Sequence, residues 1–503
     1  MRTPRAVVAL SFLVASGPVA VGQTELGARI EGLISAAKLA EVQVGVHVRD
    51  LAGGRDLVNL AGTRALMPAS NLKLITTGAA LSVLGPNFEF RTQVLVSGET
   101  LILRGSGDPA LGDPEVLERT PGKLTVDGLL QSLAASVAGA GVAKVSAIIV
   151  DDSVFDRQAV HPTWPTDQLD RSYAAGLSGV NFHANTFWVF PSPGAVGQPP
   201  TFVLQPPVPW IEVENRAQTS SSGRQTAWVR RDGDANRFVL SGEVSTAARV
   251  PITITMREPA LTAGRLLASA LLRAGVTVAG ERVEPGSSVS RAMSERVGAA
   301  VRLVEPGVPT IGRTVATVTT HATEILSRCN KDSENLYAEA LLKRLGHEVT
   351  GEAGSWTNGC SVIRMTLTEA LDPEAASTTV ISDGSGLSRE NRVAPRTLTR
   401  WLDSMQSDTR FGSAFVGSLA MPGEGTLRER FRDKKLVASL RAKSGRIDGV
   451  RALSGYLTAP DGSRLAFSVI VNGLKKGEQE LQGKQFVEDV VYALDQHLAR
   501  RRK

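Results

Sequence analysis

The sequence predicts an α+β protein in which one antiparallel sheet, flanked by helices, is built from both ends of the chain. Three observations carry this. Residues 26–39 repeat their apolar positions at helical spacing, and "EVQVGVHVRD" then alternates as a strand. At the other end, "VRALSGYLTAP" and "SRLAFSVIVNG" alternate around Asp461-Gly462, a strong hairpin signal, and a helical pattern runs from Lys484 to Ala499. Between these ends lies a long middle of different texture, and 503 residues exceed what one ordinary core accommodates.

Taken in order, the chain opens with "MRTPRAVVALSFLVASGPVAVGQ". Arg2 and Arg5 precede an apolar stretch from Ala6 to Val14, and the small residues Ala20 and Gly22 stand before Gln23. This is the layout of a secretory signal peptide over 1–22, which implies export to the periplasm or another part of the cell envelope. After the first helix and strand, "LAGGRD" supplies turn glycines before a second short extended segment. Pro68 marks the next helix start, with Leu72, Ile75, Ala79 and Leu81 on its apolar spacing and Gly85-Pro86 closing it. The middle begins with "TLILRGSGDPALGDPEVL", continues through a helix and a buried-looking strand to "AIIVDD", and turns rich in proline and glycine from Phe187 to Trp210. Strand-like "RFVLSGEV" and "VPITITMR" follow, so an inserted module is expected from roughly residue 90 to residue 288.

Bulk properties exclude several classes of function. The net charge of +6 is spread along the chain, with only "ARRRK" concentrated at the end, and neither a basic stripe nor a nucleic-acid reading motif is present. After the first 22 residues no apolar run reaches the roughly 20 residues of a membrane span. The two cysteines, Cys329 and Cys360, allow one disulfide or two free thiols. No Cys/His spacing fits a zinc site, and His321 with Glu324 lacks the second histidine of a metalloprotease helix.

The chemistry centres on "MPASNLKLITTGAAL". Ser70 and Lys73 stand three residues apart, so on a helix they share a face about 5–6 Å apart, and the amine reaches the hydroxyl. A free lysine would be neutral at pH 7 in only roughly one molecule in 2,500, so a lysine base needs desolvation or a second cation nearby. The spacing alone is weak: about one or two matches arise by chance in a chain this long, and Ser35 with Lys38 in "GLISAAKLAE" is such a match. Two later segments add to it. "CNKDSENLYAEALL" places Ser333 and Asn335 ahead of an apolar helix pattern, and "LRAKSGRIDGVRALSGYL" places Lys443-Ser444-Gly445 at the start of the C-terminal strands. Ser-x-x-Lys, Ser-x-Asn and Lys-Ser-Gly in this order are the marks of serine β-lactamases and penicillin-binding proteins.

With "LRGSGDPAL" and "DGSGLSRENRVAP" added, the chain resembles the class C low-molecular-mass penicillin-binding proteins, the D-alanyl-D-alanine carboxypeptidase/endopeptidases, from about residue 26 to the last helix. The resemblance implies a penicillin-binding/β-lactamase-like catalytic domain over 23–89 and 288–503. It also implies two nested inserted domains, at 90–107 with 181–287 and at 108–180. It implies Ser70 as acylated nucleophile, Lys73 as its base, Ser333 as proton relay to the leaving amine and Asn335 as a substrate-positioning group. Lys443 is the second cation. Ser444, Gly445 and Arg446 lie on the strand that holds the peptide, and the backbone N–H groups of Ser70 and Arg446 form the oxyanion hole. Asp383, Gly384, Ser385 and Gly386 flank the site in a supporting role. The chain departs from the family's usual Lys-Thr-Gly-Thr by reading Lys443-Ser444-Gly445-Arg446: the serine keeps the hydroxyl, and the arginine removes one and adds a charge.

The implied substrates are peptidoglycan peptides ending in D-alanyl-D-alanine, with β-lactams as covalent inhibitors, no metal or organic cofactor, and no nucleic-acid partner. Endopeptidase action on cross-bridges is an open extension, and the oligomeric state is not legible. Two alternatives share the motifs: a true serine β-lactamase, and a wall-binding or penicillin-sensing protein without turnover.

Overall fold

The structure is a computed structural model that describes residues 25–39, 41–233, 236–432 and 435–500. The expected signal peptide at 1–22 lies outside the described residues.

Five strands form the expected two-ended sheet, in the order Ser439–Ile447, Val450–Thr458, Arg464–Asn472, Gln43–Asp50, Arg55–Leu60. Every neighbouring pair is antiparallel. The Asp461-Gly462 hairpin joins the second and third, where Gly462 takes a left-handed φ of 88°. The strand Val450–Thr458 is buried along nearly its whole length, because helices cover both faces of the sheet. On one face lie Glu25–Ala36 and the terminal helix Glu478–Arg500, whose Phe486, Val490 and Leu494 pack on the strands. The other face carries the helices Lys73–Leu84 and Pro395–Ser407.

Lys73–Leu84 is the central helix, and its residues from Lys73 to Leu81 are all buried. A helix apolar all round belongs inside a protein. Gly78 makes the fit possible, since a Cβ there would stand 2.7 Å from the Trp401 ring and 2.6 Å from the Met405 sulfur. The Trp401 indole N–H donates to the Leu74 carbonyl at 2.9 Å, so this large ring is buried with its polar atom satisfied. Cys329 and Cys360 are both buried free thiols.

A second five-stranded sheet runs in the order Val301–Leu303, Ala147–Asp151, Thr100–Arg104, Glu89–Ser97, Arg313–His321. Its outer strands lie beyond residue 288, where the inserted segment was expected to close. Arg313–His321 pairs antiparallel with Glu89–Ser97 over most of its length, so the inserted sheet extends to His321. That strand has only one buried residue, so its apolar alternation is faint in the sequence. Ala147–Asp151, expected in the nested domain, pairs parallel with Thr100–Arg104 at the middle of this sheet. Its core of Leu103, Ile148, Leu267 and Leu271 is separate from that around the central helix.

Candidate active site

Ser70 does not cap a helix. It sits inside a 3₁₀ turn, Ala69–Leu72, that runs into the central helix, with no side-chain cap at either start. The turn is strained: Ala69 has a φ of +47°, a left-handed conformation that costs a residue with a Cβ roughly 1–2 kcal/mol. Two close backbone approaches hold it. Gly386 packs against the Ala69 carbonyl, where a Cβ would come within 2.0 Å, and Gly445 packs against the Pro68 carbonyl at 2.8 Å. Neither segment tolerates a side chain at that point, which explains the glycines in "DGSGL" and "AKSGR".

Lys73 points back along the helix to Ser70, and its Nζ donates to the Ser70 Oγ at 3.1 Å. It also donates to Asn335 Oδ1 at 2.6 Å and to the Ser385 carbonyl at 2.9 Å. The amine is fully buried, and this burial pulls its pKa below the ordinary lysine value. Lys443 is equally buried and donates to Ser333 Oγ and to the Ser444 carbonyl, both at 2.8 Å. Its pKa falls well below the usual range, chiefly through burial and further through repulsion from Lys73. Burial is thus what lowers Lys73, where a second cation was expected to do so; the repulsion between the two amines acts on Lys443.

Ser333 lies where Arg328–Asp332, a single π turn, ends in a left-handed residue with φ +67°. That kink turns the hydroxyl toward Lys443 before the helix Asn335–Thr350 begins. Arg328 anchors the turn: its buried guanidinium bonds Asp332 at 2.9 Å, Glu115 at 2.7 Å and Asp113 at 3.0 Å. Asn335 Nδ2 donates to the Tyr173 carbonyl at 2.7 Å. Asp113, Glu115 and Tyr173 belong to the segment between the first two motifs, so that segment helps to set the site.

The strand Ser439–Ile447 is the edge of its sheet. Ala442 turns its N–H outward to the Ala420 carbonyl at 2.9 Å. Backbone direction alternates along a strand, so the N–H groups of Ser444 and Arg446 also face outward. The Ser444 hydroxyl is held by Thr426 Oγ1 at 2.8 Å, while the Arg446 side chain is exposed. Ser70, Ser333, Asn335, Tyr173, Arg389 and Arg446 are among the residues around a cavity of about 430 Å³.

The loop from Ser382 to Asn391 closes the site from behind. Asp383 is fully buried and accepts from the Gly386 N–H at 2.8 Å, the Ser388 N–H at 2.6 Å and Asn391 Nδ2 at 2.9 Å. It also accepts from the Trp164 indole at 2.9 Å. Glu339, one helical turn beyond Asn335, accepts from the N–H groups of Gly384 and Ser385 at 2.9 and 2.8 Å and from the Trp356 indole at 2.8 Å. Burial, with the nearby Asp383 charge, pushes the Glu339 carboxyl up to about 7. The two carboxylates fix the loop whose Ser385 carbonyl receives Lys73.

The five residues expected to carry the chemistry gather around one cavity: Lys73 bonds Ser70 and Asn335, Lys443 bonds Ser333, and Ser70, Ser333 and Asn335 line the cavity. Ser35 does not: it is exposed, and its hydroxyl bonds the Glu31 carbonyl of its own helix. Sequence reasoning missed Glu339, Trp164, Tyr173 and Thr426. Only Glu339 left a signal, as a carboxylate four residues after Asn335 on an otherwise buried helix face. Among the described residues no cluster of His, Cys, Asp or Glu is arranged to hold a metal ion.

Comparisons with known proteins agree on this constellation's kin. Residues 26–493 match the family model described as the D-Ala-D-Ala carboxypeptidase 3 (S13) family. The D-alanyl-D-alanine carboxypeptidase of Actinomadura sp. (strain R39) is 33% identical over 479 residues, covering 90% of this chain and 81% of the relative. The D-alanyl-D-alanine carboxypeptidase DacB of Haemophilus influenzae is 22% identical over 464 residues, 88% of each chain. Among solved structures, penicillin-binding protein 4 of Haemophilus influenzae matches with a TM-score of 0.71 at 20% identity, covering 93% of this chain and 99% of that one, which shows the shared fold.

Proposed function

The chain belongs to the D-Ala-D-Ala carboxypeptidase 3 (S13) family, and from that premise we propose how its residues perform a serine carboxypeptidase's reaction. It is a serine-type D-alanyl-D-alanine carboxypeptidase. Ser70 is the nucleophile. Lys73, shifted by burial toward its neutral form, takes the hydroxyl proton across 3.1 Å as Ser70 attacks the carbonyl between the two D-alanines. The oxyanion is held by the backbone N–H groups of Ser70 and Arg446, fixed donors aimed at charge that develops only in the transition state. Ser333, backed by Lys443 at 2.8 Å, passes a proton to the departing amine. D-Alanine leaves, and water releases the acyl-enzyme.

Ser444 binds the terminal carboxylate through its hydroxyl, with Gly445 admitting the close strand and Arg446 adding a guanidinium beside it. Asp383 and Ser385 act by holding the loop around Lys73. The substrates are peptidoglycan stem peptides, and β-lactams acylate the same serine. Residues 1–22 direct export to the cell envelope; among the described residues no helix is long and apolar enough to cross a membrane. We take the inserted segment as an outer domain carried on to His321, its sheet including Ala147–Asp151, with the nested domain reduced to the rest of 108–180.

The observation that carries this reading is the buried Lys73 amine on the Ser70 hydroxyl, with Lys443 on Ser333 alongside. Release of D-alanine from diacetyl-lysyl-D-alanyl-D-alanine tests it. The parent protein releases D-alanine and Ser70→Ala does not; equal release by both would refute the assignment. Mass analysis of muropeptide products then separates loss of one alanine from loss of a cross-link, the endopeptidase reaction.

A further inference from the structure

A second cavity, of about 530 Å³, lies against the same edge strand and is lined there by Ser444, Gly445 and Arg446. Arg446 lines both cavities. The second is bounded by Thr426, by Arg451 and Ala452 of the neighbouring strand, and by Leu481, Lys484 and Val487 of the terminal helix. Arg430 also reaches it, as do the carboxylates of Glu429 and Glu480.

The charges here are unusual for a sheet. Arg446 and Arg451 are direct cross-strand partners, and like charges placed opposite one another destabilise a strand pair. Arg451 is compensated by Glu480 at 3.1 Å, and Arg430 by Glu488 at 2.7 Å. Glu429 is engaged by Arg432. Arg446 and Lys484 have no ion-pair partner among the described residues. Two cations without an ion pair among the described residues therefore border a cavity whose wall also holds the paired Arg430, Arg451, Glu429 and Glu480 and an apolar stretch of Ala452, Leu481 and Val487. Guanidinium and ammonium groups against an apolar floor suit a small oxyanion with a compact apolar body.

We propose that this second cavity binds a small carboxylate- or phosphate-bearing ligand between Arg446 and Lys484, and that its occupancy restrains the reactive site by holding the Arg446 guanidinium away from it. The second half rests on the reading that Arg446 faces the substrate carboxylate. The two halves separate cleanly: a bound anion stabilises the fold whether or not Ser70 is the nucleophile, whereas control of turnover requires both.

The test uses inorganic phosphate and N-acetyl-D-alanine as probes, titrated at constant ionic strength against the parent, Lys484→Gln, Lys484→Arg and Ser70→Ala proteins. The expected result is a saturable rise in Tm with at least one probe, retained in Ser70→Ala and Lys484→Arg and lost in Lys484→Gln. The probe that acts identifies the oxyanion as phosphate or carboxylate. In the parent, KM for diacetyl-lysyl-D-alanyl-D-alanine rises with the same probe, about twofold when the probe equals its Kd, with kcat unchanged. In Lys484→Gln that rise is lost. A Tm and a KM that respond equally in the parent and in Lys484→Gln would overturn the proposal, as would no response to either probe. If Tm responds as expected while the protein releases no D-alanine, the anion site stands and the assignment of Ser70 chemistry fails.

Discussion

Gly386→Ala loads the reactive serine through backbone contact alone. Gly386 has a φ of +84°, and its built Cβ lies 2.0 Å from the Ala69 carbonyl oxygen and 3.2 Å from the Ser70 nitrogen. Ordinary contact begins near 3.4 Å, so the loop or the Ala69–Leu72 turn must yield by 3.4 − 2.0 = 1.4 Å. The contact is backbone against backbone, and no side chain can swing aside. A misplacement of about 1 Å at a reacting group costs on the order of 100-fold in rate. The left-handed alanine adds roughly 1–2 kcal/mol of instability. We therefore expect acylation by a fluorescent penicillin to slow about 100-fold or more, with a protein that still melts cooperatively at a lower Tm. Stopped-flow labelling and calorimetry give the two numbers. Acylation within threefold of the parent, at an unchanged Tm, would show that this loop does not clamp the serine.

Other predictions follow from neighbouring contacts. Because burial lowers the Lys73 pKa, the acylation rate should rise with pH through an apparent pKa below the ordinary ~10.4 of lysine; a midpoint at or above that value would contradict a neutral base. The same group sets a stability slope: a folded lysine that binds its proton more weakly than the unfolded one makes the fold more stable as pH rises through that window. For Glu339 the sign is opposite. Its folded pKa of about 7 lies above the unfolded ~4.3, so its contribution is present below pH ~4.3 and lost as pH rises towards 7. Glu339→Gln should flatten that part of the Tm–pH curve, and an unaltered curve would mean the carboxyl does not titrate there. Trp164→Phe leaves a smaller aromatic ring and removes one donor to the buried Asp383, a loss of about 1.5–3 kcal/mol for a bond to a charged group. Acylation should slow more than tenfold; a change in Tm alone, with full acylation, would make Trp164 purely structural.

How much was legible in the sequence follows from how local each signal is. The two-ended sheet and the central helix were readable because strand alternation, Asp461-Gly462 and the apolar run after Pro68 are local patterns. The serine and lysine partners were readable because they lie three residues apart or form short motifs. The positioning groups were not, since Trp164 meets Asp383 across 219 positions and Tyr173 meets Asn335 across 162. The extent of the inserted sheet was hidden for a related reason: Arg313–His321 is an edge strand with little buried surface to reveal it. Ser70 itself reads in sequence as part of the helix that starts at Pro68, and only the left-handed Ala69 before it shows that the chain is held in a strained turn instead.

The central claim is that Ser70, activated by Lys73, forms the acyl-enzyme. Its most direct test is peptide mapping by mass spectrometry after brief exposure to benzylpenicillin. The account predicts one penicilloyl group per molecule, on the peptide that contains Ser70, and no adduct in Lys73→Met over the same interval. An adduct on the peptide containing Ser35, or an undiminished yield in Lys73→Met, would contradict it.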